Sequence, residues 1–328
     1  MITVPQGLRV SKNEDRHRIC ISAAVNTDAG TQKSIIGAVA LALLKTLRPR
    51  QWPKNIFVFA ALVFDHKLTD PGLVAVSLAA FAVFCLLSSS VYVLNDLADV
   101  EKDRAHPKKR FRPIASGALP IPVAYVVLFV LAPGSLIAAF SLGTSFGLVA
   151  LGYFVSNVLY SFWLKHIVLV DVMVLASGFL LRSVAGAELI GSSISPWLYI
   201  CVSLLALFIG FGKRRGELLI AQNGGVTRKV LNDYSLSFID QLINLVASAT
   251  IVAYSFYTFS AENLPANHSM MLTIPFVLYA LLRYLYLIHV RGEGGAPDEL
   301  VFVDRPLQLA FALWALAVVL ILYLNRMA

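Results

Sequence analysis

Apolar residues occur in runs along most of the chain, and short polar segments separate one run from the next. A helix needs about 20 apolar residues to cross the hydrocarbon core of a bilayer, and most of the runs approach that length. Alternating polar and apolar segments, the pattern of a membrane β-barrel, do not occur in the sequence. We therefore predict an all-α, polytopic membrane protein with about nine transmembrane helices. The predicted spans are residues 53–66, 72–95, 121–141, 144–163, 167–189, 197–213, 238–259, 271–289 and 306–325.

Two segments before the first span do not fit a full crossing. Residues 1–33 are polar and lack the continuous apolar stretch of a signal peptide, so we interpret them as a flexible cytoplasmic tail. Residues 35–47 are mostly apolar but include Lys45 and lead into the polar sequence RPRQWPKN, which favours a short helix at the membrane interface. A membrane-embedded catalytic domain is then expected to cover residues 34–328.

The composition agrees with a membrane protein and narrows the class of partner. Hydrophobic residues make up 58% of the chain and charged residues 14%, and the mean hydropathy of +0.74 is too high for a soluble domain of this size. The formal net charge is +8, but the basic residues lie in loops beside the apolar runs, where they orient helices and meet anionic lipid or phosphate. This distribution argues against nucleic acid as a partner. Cys20, Cys85 and Cys201 are scattered without a CxxC motif, so we predict neither a disulfide framework nor a zinc site.

The basic loops also predict the orientation of the bundle. With the N-terminus in the cytoplasm, nearly all Lys and Arg residues fall in loops on that same side, as the positive-inside rule expects. These loops are residues 96–120, 164–166, 214–237 and 290–305. The second and sixth spans both end on that side in polar clusters, NDLADVEKD at 95–103 and KRRGE at 213–217. Two pseudo-repeated halves of about four helices each would bring these clusters to one central, cytoplasm-facing cavity.

The first cluster is a candidate metal site. Asp96, Asp99 and Asp103 stand at i, i+3 and i+7, so a continuous helix would present all three carboxylates on one face. A solvated helix end is the alternative, but three carboxylates at a helix C-terminus are unfavourable without a cation because of the helix dipole. Together with Asn95 they offer the hard oxygen ligands that suit Mg2+. Because protein-bound Mg2+ usually completes its shell with water and substrate phosphates, the site predicts a phosphorylated substrate and a catalytic role for the three aspartates.

The basic sequence HPKKRFRPIASG follows the first cluster directly. Pro107 ends the helix and Pro113 stiffens the return, which would place Lys109, Arg110 and Arg112 over the metal. Guanidinium groups match the geometry of phosphate oxygens, so we predict phosphate binding here. Positive-inside charge alone is the alternative explanation.

Further candidates lie at or inside other spans. Lys54, Tyr160 and Lys165 stand at span ends, where substrate binding competes with simple snorkelling to the lipid headgroups. Asp171 and Arg182 are about three helical turns apart and therefore share a face. A charge inside the membrane normally faces the bundle interior, so Arg182 is expected to have a functional or paired role, with a structural ion pair as the alternative.

The second cluster offers cations rather than paired aspartates. Lys213, Arg214 and Glu217 could bind a second phosphate, or Lys213 and Glu217 could form an ordinary i, i+4 pair at the headgroups. The sequence GFGKRRG is not a phosphate-binding loop of the nucleotide-binding type, because it lacks both the preceding strand and the GK[ST] ending.

NDLADVEKD followed by KKRFRPIASG resembles the first aspartate-rich motif of the UbiA-type intramembrane prenyltransferase superfamily. The resemblance covers most of the chain after residue 40 and implies nine helices in two four-helix halves around a cytoplasm-facing cavity. Members that use prenyl diphosphates carry a second aspartate-rich motif at the sixth span, and KRRGE replaces it here. That departure argues against a prenyl diphosphate as the substrate held by the metal.

RPRQWPKN, YSFWLKHIVLVDV and GKRRGEL add a similarity to one branch of that superfamily, the decaprenyl-phosphate phosphoribosyltransferase type. This resemblance implies that Asn95, Asp96, Asp99 and Asp103 hold Mg2+ on the pyrophosphate of 5-phosphoribosyl 1-diphosphate. It also implies a polyprenyl phosphate such as decaprenyl phosphate as the acceptor, in a bacterial inner membrane, for cell-envelope arabinan precursors. The substrate-binding candidates are then Lys54, Asn95, Lys109, Arg110, Arg112, Tyr160, Lys165, Asp171, Arg182, Lys213, Arg214 and Glu217.

Two alternatives of other kinds stay open at this point. A prenyltransferase acting on an aromatic acceptor would share the first motif, but the missing second aspartate pair counts against it. A non-catalytic lipid-binding or transport bundle would account for Arg182 but not for the three carboxylates. Homo-oligomerisation is open as well.

Overall fold

The computed structural model of the chain describes residues 37–192, 195–222, 229–292, 300 and 303–324. The predicted tail, residues 1–33, lies outside this described part. Regular structure within the described part is helical throughout, which confirms the predicted all-α class. In chain order the α-helices are α1 (residues 37–47), α2 (Ala60–Phe64), α3 (Pro71–Ala98), α4 (Val100–Ala105), α5 (Ile121–Leu142), α6 (Thr144–Phe162), α7 (Val170–Leu189), α8 (Pro196–Gln222), α9 (Leu236–Ser260), α10 (Ile274–His289) and α11 (Arg305–Leu324). Short 3-10 helices cover Pro49–Phe59, Lys109–Phe111, Leu164–His166, Lys229–Asp233 and Ser269–Thr273.

Eight helices of the described residues are long and apolar enough to cross a membrane. They are α3 and α5 to α11, with α10 lengthened at its start by the 3-10 turn from Ser269. Capping groups fix where several of them begin. Asp70 accepts hydrogen bonds from two N–H groups in the first turn of α3, and Ser235 and Asp304 cap α9 and α11 in the same way. Eight of the nine predicted spans are thus long helices.

The remaining predicted span, residues 53–66, is built differently. The chain runs as a 3-10 helix over Pro49–Phe59 and continues into α2, and we call this stretch, residues 49–64, the proline segment. Pro53 lies inside it and lacks the N–H that an α-helix needs for its hydrogen bond. Because a 3-10 helix rises about 2.0 Å per residue, the proline segment extends over roughly 30 Å, close to the thickness of the hydrocarbon core. It therefore has the length of a crossing although it is shorter in sequence than an α-helical span.

The two largest hydrophobic clusters of the described residues lie in different halves of the bundle. The N-terminal cluster joins α3, α5, α6 and α7 to the proline segment, with Phe84 and Phe146 fully buried in it. The C-terminal cluster joins α8, α9, α10 and α11 around residues such as Phe208 and Ile239, and Val172 of α7 packs into it. This arrangement agrees with the predicted division into two halves, with α7 in contact with both.

The proline segment lies directly against α7. A Cβ atom added at Gly186 would stand 1.9 Å from the carbonyl oxygen of Val58, so only glycine permits this approach of the two backbones.

The end of α2 and the loop after it contact the C-terminal half of the bundle. Asn263, in the loop before α10, donates from Nδ2 to the carbonyl oxygen of Phe64 at 2.8 Å. Tyr323, near the end of α11, accepts a hydrogen bond from Leu68 N at 3.2 Å. We call these four residues the closing contact, because through them the C-terminal half returns to the proline segment and to the loop that follows it.

Candidate functional site

The polar cluster after α3 is not a single helical face. α3 ends at Ala98, and Asp99 joins it to α4 with φ −105° and ψ 12°, away from helical values. Asp96 and Asp103 are buried, with 2% and 3% of their surface exposed, whereas Asp99 is half-buried. The prediction that a continuous helix presents all three carboxylates on one face is therefore wrong, because the helix is interrupted at Asp99.

Two of the three carboxylates share one basic partner, and the third has another. Arg112 Nη1 lies 3.0 Å from Asp96 Oδ1 and 2.7 Å from Asp103 Oδ2, so it bridges the two buried carboxylates. Asp99 instead accepts two hydrogen bonds from Lys165 Nζ, at 2.9 and 3.0 Å. Within the described part of the chain, no three His, Cys, Asp or Glu side chains gather in an arrangement that would hold a metal ion.

Arg112 reaches the carboxylates because the basic loop turns back after α4. Lys109–Phe111 form one 3-10 turn, and the backbone N–H of Arg112 donates to the carbonyl oxygen of Lys109 at 2.9 Å. Ile114 and Leu119 follow and are fully buried, which anchors the returning chain in the core formed by α3 and α5. The predicted return of the loop over the aspartates is formed for Arg112.

Arg110 takes another direction. It is exposed, and its guanidinium lies 4.9 Å from the centre of the Phe111 ring rather than on the carboxylates. His106 shapes this turn, since its Nδ1 accepts hydrogen bonds from the backbone N–H groups of Lys108 and Lys109 at 3.2 and 3.3 Å. Burial and the nearby Lys109 ammonium lower the pKa of His106, which keeps the ring neutral and able to accept.

Arg48 also lies on the aspartate cluster, although the sequence indicated no role for it beyond its place in RPRQWPKN. Its Nη2 is 2.5 Å from Asp96 Oδ1, the oxygen that Arg112 also contacts. The guanidinium lies over the Tyr92 ring, 4.8 Å from its centre. The backbone of Arg48 is left-handed, with φ 52° and ψ 59°, an uncommon conformation for a residue other than glycine.

Hydrogen bonds fix the backbone on both sides of Arg48. Ser89 Oγ donates to the carbonyl oxygen of Leu47 at 2.8 Å, and Trp52 Nε1 donates to Ser89 Oγ at 3.1 Å. These bonds hold the end of α1 and the start of the proline segment against α3. Lys54, a predicted substrate-binding residue, is half-buried about two 3-10 turns further along.

Asn95 and Lys165 connect α3 to the end of α6. Ser161 Oγ donates to Asn95 Oδ1 at 2.5 Å. Lys165 lies in the 3-10 turn Leu164–His166 that follows α6, and only 7% of its surface is exposed. Its ammonium therefore pairs inside the protein with Asp99, and snorkelling to the headgroups does not describe it.

The second polar cluster closes around Arg214, which is 1% exposed. Its Nε donates to Asp171 Oδ2 and its Nη1 to Glu217 Oε2, both at 2.5 Å, and Nη2 lies 3.4 Å from the Tyr160 hydroxyl. Tyr234 donates from its hydroxyl to Asp171 Oδ1 at 3.0 Å. Burial, with the Asp171 carboxylate beside it, raises the pKa of Tyr234 to about 12, so this hydroxyl keeps its proton.

These contacts change the interpretation of KRRGE. Arg214 is held by two carboxylates and is closed off from solvent, so it does not present a guanidinium for a second phosphate as predicted. Arg215 is paired as well, with Asp240 Oδ1 at 2.7 Å. Lys213, which directly precedes Arg214 in the chain, is half-buried.

Both clusters lie at one end of the bundle, which we call the aspartate end. The connection between α6 and α7, together with the first turn of α7, reaches the two of them, since Lys165 in the connection bonds Asp99 in the first cluster and Asp171 in α7 bonds Arg214 in the second. The predicted meeting of the two polar clusters is thus formed through this part of the chain.

Arg182 lies deeper in the bundle and has partners other than Asp171. Its Nε donates to Asn55 Oδ1 at 2.6 Å, its Nη2 to the Tyr153 hydroxyl at 2.9 Å, and its Nη1 to the carbonyl oxygen of Gly178 at 2.7 Å. The guanidinium also lies over the Tyr153 ring, 4.6 Å from its centre. Arg182 therefore ties α7 to α6 and to the proline segment through neutral groups, a role that the sequence did not indicate for Asn55 or Tyr153.

The carboxylate oxygens at the aspartate end are ligands that suit a hard cation such as Mg2+, although each carboxylate is in an ion pair with a basic side chain. Asp96 Oδ1 and Asp103 Oδ2 both lie within 3.0 Å of Arg112 Nη1, so a positively charged group already occupies the space between them. Mg2+ needs one or two protein carboxylates and takes its other ligands from water and phosphate, a demand that these two oxygens meet. Asp99 would first have to exchange its contact with Lys165.

Comparison with known proteins places these features in a wider group. Residues 55–213 match the model of the UbiA prenyltransferase family. A protein of Mycolicibacterium smegmatis named decaprenyl-phosphate phosphoribosyltransferase is 36% identical over 312 residues, which cover 90% of this chain and 95% of the relative. A Corynebacterium glutamicum protein of the same name is 35% identical over 295 residues, 87% of this chain and 88% of the relative.

The fold has solved counterparts too. A UbiA homolog from Archaeoglobus fulgidus, whose structure is described as bound to GPP and Mg2+, superposes with a TM-score of 0.66 at 18% sequence identity. The match covers 86% of this chain and 99% of that chain. The helical arrangement described above is therefore shared over almost the whole of a solved protein.

Proposed function

Because the chain belongs to the UbiA prenyltransferase family, in the branch of the decaprenyl-phosphate phosphoribosyltransferases, we propose that it transfers 5-phosphoribose from 5-phosphoribosyl 1-diphosphate to a polyprenyl phosphate. The chain is a transferase of the multi-pass membrane type. The observation that carries the choice of substrate is the near full-length match to relatives that bear this name. The geometry agrees, since the cluster after α3 brings the carboxylates of Asp96 and Asp103 together, whereas the carboxylates of the second cluster pair with Arg214.

The donor diphosphate is proposed to bind at the aspartate end. Asp96 and Asp103, with Asp99 and Asn95 beside them, are the residues that would hold Mg2+, which when bound neutralises charge on the leaving pyrophosphate. Arg112 lies on two of these carboxylates and is positioned to meet the diphosphate oxygens with its planar guanidinium.

The transfer itself needs little acid–base chemistry. A phosphate oxygen of the lipid attacks C1 of the ribose, the bond from C1 to the pyrophosphate oxygen breaks, and the electron pair leaves with pyrophosphate. The attacking phosphate is already anionic at neutral pH, so the protein has to position the two anions and neutralise their charge rather than remove a proton. The basic side chains Arg48, Arg112 and Lys165 supply that positive charge around the aspartates.

The orientation and the biological setting belong to the same proposal. The aspartate end faces the cytoplasm of a bacterial inner membrane, where the sugar diphosphate is available, and the isoprenoid tail of the acceptor lies between the helices. The support is the concentration of basic loops at this end and the positive-inside rule. The product would serve as a precursor of arabinose donors for the cell envelope.

The test uses purified full-length protein in detergent with Mg2+, polyprenyl phosphate and 5-phosphoribosyl 1-diphosphate labelled in the ribose. We expect the label to move into the organic phase only when both substrates are present. If no label enters the lipid while the protein consumes a prenyl diphosphate in the presence of an aromatic acceptor, the proposal is wrong and a prenyltransferase activity is established.

A further inference from the structure

Two guanidinium groups from distant parts of the chain meet on one carboxylate oxygen. Arg48 Nη2 and Arg112 Nη1 lie 2.5 Å and 3.0 Å from Asp96 Oδ1. The carboxylate is 2% exposed, whereas the side chains of Arg48 and Arg112 are 27% and 31% exposed. The negative charge is thus buried and the positive groups stand on its accessible side, between Asp96 and any ligand that arrives from outside.

The cluster carries no excess negative charge before any ligand is considered. The three carboxylates of Asp96, Asp99 and Asp103 pair with Arg48, Arg112 and Lys165, and Lys102 lies 3.7 Å from Asp99 Oδ1 in addition. A bare divalent cation therefore meets no excess negative charge. To reach Asp96 it would also have to displace both guanidinium groups, which would then face each other without an anion between them.

The backbone around Arg48 limits how the contact can change. Leu47 and Trp52 are tied to Ser89 on either side of it, so the left-handed turn at Arg48 is held in place. The side chain is the mobile part, and it rests on the Tyr92 ring. A rotation of this side chain is enough to release Asp96 and to turn the guanidinium toward a bound phosphate oxygen.

We infer that Arg48 and Arg112 are exchangeable counter-ions that make the metal and the diphosphate bind together. The carboxylates of Asp96 and Asp103 pass to the metal, and the two guanidinium groups pass from the carboxylates to the diphosphate. The metal releases the guanidinium groups that the diphosphate needs, and the diphosphate releases the carboxylates that the metal needs. Binding of either ligand therefore raises the affinity for the other. This inference rests on the proposed function, because it assumes that a metal–diphosphate is the ligand of the aspartate end, and it adds Arg48 to the residues that bind it.

The experiment measures binding to purified full-length protein and uses Mn2+ as a probe for the metal. Bare Mn2+ and a preformed Mn2+–pyrophosphate complex are titrated separately, which removes the effect of chelation in solution. For Arg48→Gln we expect opposite changes, with bare Mn2+ binding about 10-fold tighter because Asp96 has lost a competitor, and the pyrophosphate complex about 10-fold weaker. Arg48→Lys keeps the positive charge, so its bare Mn2+ affinity should stay near that of the unaltered protein.

Arg283→Gln is the matched control, because Arg283 also pairs with a buried carboxylate, that of Asp304 at 2.8 Å, but on α10 and α11. Neither affinity should change in this variant. Unchanged or weaker binding of bare Mn2+ by a folded Arg48→Gln protein overturns the inference, and so does bare Mn2+ affinity in Arg48→Lys as high as in Arg48→Gln. If either of these results is found while the protein still transfers labelled ribose to lipid, only the inference fails. If the unaltered protein neither binds the pyrophosphate complex nor labels the lipid, the proposed function fails with it.

Discussion

Among single side chains, Asp96 and Asp103 differ from their neighbour Asp99 in being buried and in sharing one cation, Arg112. The sequence predicted the three carboxylates as candidates because their types and spacing are local properties. It did not predict which of them share a partner. Arg48 reaches Asp96 from 48 positions away, and no local pattern contains a contact of that kind.

The first prediction concerns these carboxylates. Asp96→Asn and Asp103→Asn should each lower kcat for lipid labelling by at least about 100-fold, because each removes a negative charge from the region proposed to hold the metal and the leaving group. Glu101→Gln is the control, since Glu101 lies on α4 with Asp103, has 78% of its side chain exposed and pairs only with Arg104 among the described residues. A similar loss in all three variants would show that this region is sensitive to any change and would contradict the assignment.

The second prediction concerns Arg182, whose three hydrogen bonds go to Asn55, Tyr153 and the Gly178 carbonyl. A lysine ammonium cannot reach all three partners in the geometry of a guanidinium fork. We expect Arg182→Lys to lower the free energy of unfolding by about 1–2 kcal/mol. Thermal denaturation in detergent measures this, with Arg305→Lys at the exposed start of α11 as the control. Equal melting temperatures for the two variants would contradict it.

At the scale of elements, hydropathy predicted the long helices well and the proline segment less well. A run of about 20 apolar residues is sufficient for a membrane helix whatever its neighbours are, so eight spans could be predicted from local sequence. Pro53 indicates that an α-helix is disturbed, but it does not say that the chain continues as a 3-10 helix. That outcome depends on α7, which supplies both Arg182 and the glycine against which the segment lies.

The third prediction tests this contact. Gly186→Ala places a methyl group where the Val58 carbonyl oxygen stands, so the proline segment has to move away from α7. We expect a loss of stability of about 1–3 kcal/mol, which is typical of overpacking, together with a loss of transferase activity, because Arg48 moves with the segment. Gly152→Ala in α6 is the matched control, since a Cβ there meets nothing within 4 Å. A fully stable and active Gly186→Ala protein would show that the approach is not required.

For the whole molecule, the two-half organisation was predicted from the similar ends of the second and sixth spans, and the two largest hydrophobic clusters of the described residues agree with it, with α7 packing into both. The electrostatic role of the second half was harder to predict. KRRGE contains an excess of positive charge when it is considered alone, but Asp171 and Asp240 come from other helices to neutralise Arg214 and Arg215. Net charge in a folded cluster depends on residues that are remote in sequence, and no local pattern paired these two aspartates with the arginines of KRRGE.

Because of the closing contact, the two halves of the bundle touch each other at both of its ends. The halves touch at the aspartate end through Asp171 and Arg214, and at the other end Asn263 bonds the end of the proline segment while Tyr323 bonds Leu68 just after it. Two separate polypeptides, residues 1–193 and 194–328, would thus hold each other at both ends of the membrane. We expect them to complement one another when they are co-expressed, to purify as one complex and to label lipid. Tyr323→Phe, which removes the hydroxyl, should weaken this reassembly of fragments much more than it weakens the intact chain, where the covalent link keeps the halves together.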